Sequence, residues 1–337
     1  MFNYLEPPNA YYEFERIYTA EQWAKKQRWL VNYLTEHQPD VIGFQEVFSI
    51  ESLKELVKDQ GYTYFAVVDE PQVIDDFIYK RPVVALAAKY PIVEVATVEH
   101  DHELAKTLGL TEDFTFSRKV LRATITLPHI GNTDCYVVHF KSKRSMIELD
   151  EQNKDLTPEK NIIELLKADI AGSWGSTIQR GSEATLLMID IIARRESSQN
   201  PMVLMGDFNN DLADGVLSHL LTNTLRFAPA FDSNTYLAKY CLNDAWQLFA
   251  KSQLNLANQN NENTVDLKRK PTHYFGASSS VLDYILLSCE FDSSYDDSFF
   301  EVSQYHTYDR HLINPEFERD DLSTDHGVVL ISLALRS

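Results

Sequence analysis

The stretch "PMVLMGDFNND", residues 201–211, runs from a short apolar segment, Met202 to Met205, into a block of carboxylates and carboxamides: Asp207, Asn209, Asn210 and Asp211. A short apolar run bounded by turn residues reads as a fully buried strand. Gly, Asn and Asp end strands because they tolerate left-handed backbone and bond their own main chain, so the block is either a turn or a site. A second string echoes the first. "PDVIGFQEV", residues 39–47, also begins with proline, passes through a buried strand and ends on an acid, Glu46. Each follows a segment that reads as a helix, which hints at two similar halves, each delivering a carboxylate to a strand end.

Working outward, residues 20–37 read as a helix, with Thr19 and Gln22 spaced as a capping box and Trp23, Gln27, Leu30, Val31 and Leu34 on one face, ended by Pro39. "SIESLKELVKDQGY" (49–62) follows as a second helix, with Ser49 as N-cap and Gly61 as stop. Strands are expected in "YTYFAVV" (62–68), "PVVALAAKYPIVEVATV" (82–98), "KVLRATITL" (119–127) and "DCYVVHF" (134–140). Several are adjacent without helices, so antiparallel pairing is expected. Helical patterns return in 158–172 and 183–196, and near 212–221 and 243–250, while the amide-rich 251–271 reads as a surface loop. "THYF", "VLDYILLS", "FFEVSQY" and "GVVLISLAL" close the chain as strands. No composition break marks a boundary, so one domain over 1–337 is expected.

Apolar residues make up 44% and charged residues 24% of the chain, ordinary globular values, and no apolar run approaches the ~20 residues of a membrane span. Three scattered cysteines, Cys135, Cys241 and Cys289, carry no disulfide or zinc pattern, which with the absence of a signal-like start points to a cytoplasmic protein. The net charge of −19 argues against tight non-specific hold on nucleic acid, though not against its turnover. Basic spots remain at "KSKR" (141–144), "ARR" (193–195) and "KRK" (268–270).

Polar residues gather at strand ends: Gln45 and Glu46, His139, Asp207 and Asn209, Asp283, and Asp325 with His326. Charges are rarely buried without partners, because desolvation costs several kcal/mol per ion. Singly, each reads as a satisfied structural group; as a set they call for partners or a metal. The motifs "GFQEV" (43–47), "VVHFKSK" (137–143), "GDFN" (206–209), "LDYIL" (282–286) and "STDH" (323–326), in this order, resemble the endonuclease/exonuclease/phosphatase superfamily, most of all its bacterial members.

That resemblance implies an α/β (α+β) fold of the DNase-I-like kind, a four-layer sandwich of two packed mixed β-sheets flanked by helices. It implies that Glu46 holds a catalytic Mg²⁺, for which Mn²⁺ can substitute, with Asp325 close to a metal. Asp207 and Asn209 match the pair that positions the attacking water and supports the phosphoryl oxygens. Asp283 matches the acid that orients His326, and His139 the histidine that assists the phosphate or leaving group. The family's first strand carries an asparagine that joins the metal site. Asn3 is the candidate, with two residues before it, so either the start is truncated or the first motif is incomplete, and a missing first strand would leave a sheet edge exposed.

The activity implied is Mg²⁺-dependent phosphoester hydrolysis by direct water attack, with weakly bound DNA or RNA as the preferred substrate and no obligate protein partner. Lys141, Lys143 and Arg144, directly after His139, are candidates for holding phosphate oxygens, and so is Arg180; the alternative for each basic residue is a solvated turn. A phosphatase or phospholipase C-type enzyme for an inositol phosphate, another soluble phosphoester or sphingomyelin shares the same catalytic floor. A silent binding or scaffold protein is the reading from another class, and the complete set of carboxylates and histidines counts against it. Among further signals, Arg180 and Glu183 read as a helix start, "EHDHE" (99–103) as an exposed loop, His273 as a strand histidine, and the aromatics as core and not a stacking platform.

Overall fold

The computed structural model describes residues 3–11, 17–147, 157–222, 237–260 and 267–336. In chain order its strands are β1 (Ala10–Tyr11), β2 (Val41–Val47), β3 (Tyr64–Ala66), β4 (Gln72–Ile74), β5 (Ile78–Lys80), β6 (Val83–Ala88), β7 (Ile92–Thr97), β8 (Leu121–Leu127), β9 (Gly131–His139), β10 (Met202–Asp207), β11 (Asn243–Asp244), β12 (His273–Phe275), β13 (Ser278–Ser280), β14 (Asp283–Leu287), β15 (Phe300–Tyr308) and β16 (Val328–Leu335). The helices are α1 (Ala20–His37), α2 (Ile50–Asp59), α3 (His102–Thr107), α4 (Pro158–Ser198), α5 (Ala245–Asn260), α6 (Arg310–Ile313) and α7 (Phe317–Asp320).

A six-stranded sheet in the order β11-β14-β10-β9-β8-β7 is mixed: β9 and β10 pair parallel, and the other pairs are antiparallel. Facing it are β2-β6-β3 and the β15-β16 pair. The period-2 alternation of β6 shows the layering. Val84, Leu86 and Ala88 pack on Leu121, Ala123, Cys135 and Val137 of the large sheet. Val83, Ala85 and Ala87 pack the other way, on Leu30, Leu34, Leu53 and Val57 of α1 and α2. On the far side of the large sheet, Leu187 and Ile191 of α4 cover Tyr136, Val138, Leu204 and Leu286. The result is the four-layer sandwich, helix, sheet, sheet, helix.

The capping box of α1 forms as expected, Thr19 Oγ1 accepting from Gln22 N and Gln22 Oε1 from Thr19 N. Ser49 sits at the start of α2 but does not cap it; its hydroxyl accepts instead from Glu6 N at 2.8 Å. The two helical patterns at 158–172 and 183–196 belong to one helix of 41 residues, α4. Glycines in its interior lower helix propensity, and here they serve a close approach: a Cβ on Gly172 would lie 1.8 Å from Ser145 Oγ and 2.7 Å from Ile147 N. The same helix carries an outward stripe, Ile162, Leu166, Ile170 and Trp174, that none of the described residues covers.

Three further expectations need correction. The helix near 212–221 reduces to a 3-10 turn at Ser218–Leu221, because Asp211 and Asp214 tie the preceding chain into turns, accepting from Ala213 N and Leu217 N. The helix near 243–250 begins at Ala245 and runs to Asn260, into the expected loop, with Trp246 and Phe249 anchored on Tyr305; residues 261–266 of that loop lie outside the described residues. "EHDHE" is not a loop throughout, since Asp101 caps α3 by accepting from Leu104 N. Among the described residues no helix is long and apolar enough to cross a membrane.

The C-terminal end of α4 is bound to the large sheet through Asp134, which is fully buried and accepts from Arg194 Nε (2.8 Å), Thr124 Oγ1 (2.5 Å) and Asn200 Nδ2 (3.2 Å). Burial pushes its carboxyl up, but the hydrogen bonds from Arg194 and Thr124 and the Arg194 charge outweigh this and hold it below the usual range. A folded pKa below the unfolded one contributes stability above the unfolded value, near 3.9, and loses it as pH falls through the folded value. Asp134→Ala is therefore expected to cost about 3 kcal/mol at pH 7 and progressively less below about pH 4, as read by urea unfolding across a pH series. An equal loss at pH 7 and pH 3 would assign the cost to packing alone.

Candidate active site

In the large sheet β9, β10 and β14 lie side by side, and their register sets His139 opposite Asp207 and Asp207 opposite Asp283. Opposed residues on neighbouring strands project to the same face, so these three side chains form one row at one end of the sheet. The fourth member, His326, arrives from the turn before β16 and bridges to His273 of β12. Its Nδ1 lies 2.8 Å from Asp283 Oδ2, which fixes the imidazole against the row.

The "GDFN" residues divide the work. Gly206 has φ +145° and lies against β9, where a Cβ would sit 2.0 Å from the Val138 carbonyl oxygen, so only glycine fits. Phe208 is buried between Phe140 and Tyr284. Asn209, in the left-handed region at φ +52°, clamps Asp207 from two sides: its main-chain N–H donates to Oδ1 at 2.8 Å and its Nδ2 to Oδ2 at 3.2 Å. Asn210 and Asp211 then make the turn, bonding Asp214 and Ala213 N. The block joins the polar row in its first half and makes a turn in its second.

Burial pushes the Asp207 carboxyl up to about 7, with Asp283 adding to the rise and His326 opposing it. Burial alone would lower His326, but Asp283, then Asp207 and Asp325, outweigh it and push the imidazole up to about 10. His139 is the opposite case. Burial, with the Arg118 charge second, holds it well below the usual imidazole range; its Nε2 lies 3.5 Å from Asp207 Oδ2, and its buried Nδ1 has no hydrogen-bond partner among the described residues. One ligand atom each from Asp207, Asp283 and His326 lies within 4.8 Å of the others, close enough to hold a metal ion.

A second acidic group converges from the facing layer. β2 bulges between Phe44 and Val47, and Glu46 takes φ +58°, which re-aims its side chain at the strand end. Its Oε2 accepts from Asn3 N at 2.9 Å. Lys26 of α1, 3% exposed, donates from Nζ to Ser323 O at 3.1 Å. Burial lowers its ammonium to about 7, against the pull of Asp325 and Glu46, so both acids face it. Glu46 and Asp325 offer hard oxygen donors of the kind that suits Mg²⁺ or Mn²⁺, and Asn3 stands beside them.

The basic candidates divide. Lys143 and Arg144 are exposed. Lys141 is half-buried, and its Nζ donates to Arg144 O at 3.0 Å. Arg180 and Glu183 do not start a helix; they lie in the middle of α4 and latch the 141–144 turn to it. Arg180 Nη1 donates to Lys141 O at 2.9 Å, while Glu183 Oε2 accepts from Lys141 N at 2.8 Å and Oε1 from Ser117 N at 2.7 Å. His273 has its ring centroid 5.0 Å from that of His326, so it lines the site.

Three residues were not singled out from the sequence. Lys26 carried a signal, a lysine three after Trp23 and four before Leu30 on an otherwise apolar helix face. Arg118, whose charge acts on His139 and Lys141, stood in no motif. Phe275 departs from the core reading of the aromatics: it is 81% exposed at the turn of the β12-β13 hairpin, two residues from His273.

The sequence model described as the Endonuclease/Exonuclease/phosphatase family matches residues 17–292. Among solved structures, the human Nocturnin catalytic domain with bound sulfate anion is similar at TM-score 0.55 and 15% identity, over 99% of this chain and 93% of that one. A humanized D. rerio TDP2 is similar at TM-score 0.53 and 14% identity, over 94% of each chain, and a truncated Caenorhabditis elegans TDP2 at 0.51 and 13%, over 92% and 90%. At these identities the likeness is one of fold. Among curated proteins none matches the sequence.

Proposed function

Since the chain belongs to the endonuclease/exonuclease/phosphatase family, we propose that it is a divalent-metal-dependent phosphoesterase that cleaves nucleic-acid phosphodiesters by direct attack of water. The observation that carries this reading is the row His139, Asp207, Asp283 on adjacent strands, closed by His326 at 2.8 Å. Phosphodiester hydrolysis needs an aligned nucleophile, a group to take its proton, and positive charge on the phosphoryl oxygens. Asp207, clamped by Asn209 and with its carboxyl near 7, accepts the proton of the attacking water. His326, protonated at neutral pH and fixed by Asp283, donates to a non-bridging oxygen. His139, kept neutral, backs Asp207 and limits its rotation. Mg²⁺ or Mn²⁺ held by Glu46 and Asp325 with Asn3 would supply further charge neutralisation.

Nucleic acid is favoured over a small phosphoester because Phe275 stands exposed beside the site, a face on which a base can stack, with Lys143 and Arg144 exposed as well. The test is a panel of single-stranded DNA, duplex DNA, RNA, inositol phosphates and sphingomyelin, with and without EDTA. Phe275→Ala is expected to raise KM for an oligonucleotide roughly 5- to 100-fold, the range of one stacked base, while hydrolysis of bis-p-nitrophenyl phosphate is unchanged. Turnover of an inositol phosphate or sphingomyelin, with no nucleic acid cleaved, would remove the substrate assignment and leave the phosphoesterase.

A further inference from the structure

Three short pieces of chain meet at His326, and each is bonded to the other two. The first is residues 272–274, leading into the β12-β13 hairpin; the second is 309–311, between β15 and α6; the third is 326–327, just before β16. Gly327 N donates to Thr272 O at 2.6 Å, within the bridge between His273 and His326. Tyr274 Oη donates to Asp309 Oδ2 at 2.9 Å. His311 Nε2 lies 2.9 Å from His326 O, and since a carbonyl can only accept, this nitrogen carries the proton. The three contacts close a triangle.

Two of its corners serve the site. His273 and the exposed Phe275 belong to the hairpin, and His326 is paired with Asp283. The third corner, Asp309 and His311, is buried. Burying a carboxylate or an imidazole is costly unless it is bonded, so both call for a reason. Asp309 is held twice, by Tyr274 and by Lys270 Nζ at 3.1 Å. The His311 ring stands edge-on to Trp29, with centroids 5.1 Å apart, and stacks on Tyr308 at 5.6 Å. A leucine could fill that space without a polar atom. Among the described residues His311 Nδ1 has no hydrogen-bond partner, so what the imidazole adds is the N–H aimed at the His326 carbonyl.

Where an imidazole stands depends on the main chain it springs from as much as on its ring partner. For His326 both are referred to the same triangle, because the main chain of Asp283 is bonded to Thr272, its N–H donating to Oγ1 at 3.1 Å. The far end of the 323–326 turn is fixed from α1, where Lys26 Nζ donates to Ser323 O at 3.1 Å. We propose that Asp309 and His311 are positioning residues, which keep the substrate-facing hairpin and His326 in one fixed relation. Neither meets substrate. His311 sets the main chain under the His326 ring, and Asp309, through Tyr274, sets the hairpin that carries Phe275. The proposal rests on the phosphoesterase reading of the row.

The test pairs His311→Gln, whose side-chain amide can place a donor where Nε2 stands, with His311→Leu, which fills the space and has none. His311→Asn, an amide too short to reach, takes the place of the leucine variant if that fails to fold. His311→Leu is expected to lower kcat on a phosphodiester by about 100-fold with KM within about two-fold of the parent, the cost of a small misplacement of an acting group. His311→Gln is expected to recover most of that loss. In NMR the carbon-bound ring protons of His326, which report on its bond to Asp283, should keep their parental shifts in His311→Gln and move in His311→Leu. Tyr274→Phe removes the hydroxyl that reaches Asp309, and it is expected to raise KM for an oligonucleotide roughly 10-fold while kcat falls less. Equal losses in the glutamine and leucine variants would assign the effect to packing against Trp29 and Tyr308 and overturn the proposal. So would a folded His311→Leu with parental kcat and ring shifts, or Tyr274→Phe with parental KM. A parent that cleaves no phosphoester would remove the phosphoesterase reading, and the ring shifts in the His311 variants would still decide whether His311 sets His326.

Discussion

Asp283→Asn, His326→Ala and the double variant are expected to lose the same activity, each by roughly 10²- to 10⁴-fold in kcat on a phosphodiester. The two groups act as one unit: Asp283 Oδ2 and His326 Nδ1 are 2.8 Å apart, and Asp283 is the leading charge that keeps the imidazole protonated in a half-buried position where desolvation pulls the other way. Once either is removed, the other has nothing left to orient or to be oriented by, so the second substitution adds little. The fold should survive, because the main chain at Asp283 is held separately, its N–H donating to Thr272 Oγ1 at 3.1 Å. The charge argument carries its own readout. In Asp283→Asn the His326 imidazole should titrate well below its value of about 10 in the parent, measurable by NMR of the ring protons. Losses that add in the logarithm of rate, or an unmoved imidazole, would show the two to be independent.

What the sequence made legible was local. "GDFN" could be read because each of its residues answers a constraint that composition exposes: a glycine where a Cβ would strike Val138, a buried Phe, and an Asn at positive φ beside the acid it clamps. The polar residues at strand ends could be collected because a charge in an apolar run is conspicuous. Their arrangement was not legible. β14 pairs with β11 and β10 and not with β13 or β15, which flank it in sequence, and it is this order that puts Asp283 beside Asp207 and His139 in one row. Where the reading misled, a local rule lost to a distant contact. The two helical patterns of α4 are one continuous helix, on which Gly172 lets residues 145–147 press, and this moved Arg180 and Glu183 from a helix start to a latch under the basic turn. Ser49 looked like a cap and was taken by Glu6 from the N-terminal segment. Phe275 read as core because the aromatics are spread through strands; it is exposed where it sits, at the turn of the β12-β13 hairpin.

Glu46→Gln is expected to reduce activity by at least about 100-fold and to weaken Mn²⁺ or Mg²⁺ binding, while Tm stays close to that of the parent. The side chain lies outside the core, half-buried, and it accepts a hydrogen bond from Asn3 N at 2.9 Å, which the amide oxygen of glutamine can still accept. The bulge and the φ of +58° at this position belong to the main chain and do not depend on the carboxylate, so the strand end keeps its shape. What the substitution removes is one negative charge among groups that face Lys26, and with it the hard anionic oxygen that a divalent ion prefers to a neutral amide. Loss of metal affinity should therefore appear in calorimetry with Mn²⁺ at unchanged fold, and activity should return in part at high metal concentration if the ion is bound weakly and not excluded. The parent in EDTA should fall to the level of the variant or below it. Full turnover by Glu46→Gln in micromolar Mg²⁺ would take Glu46 out of the metal site and move the assignment to the Asp207, Asp283 and His326 cluster, whose ligand atoms lie within 4.8 Å of one another.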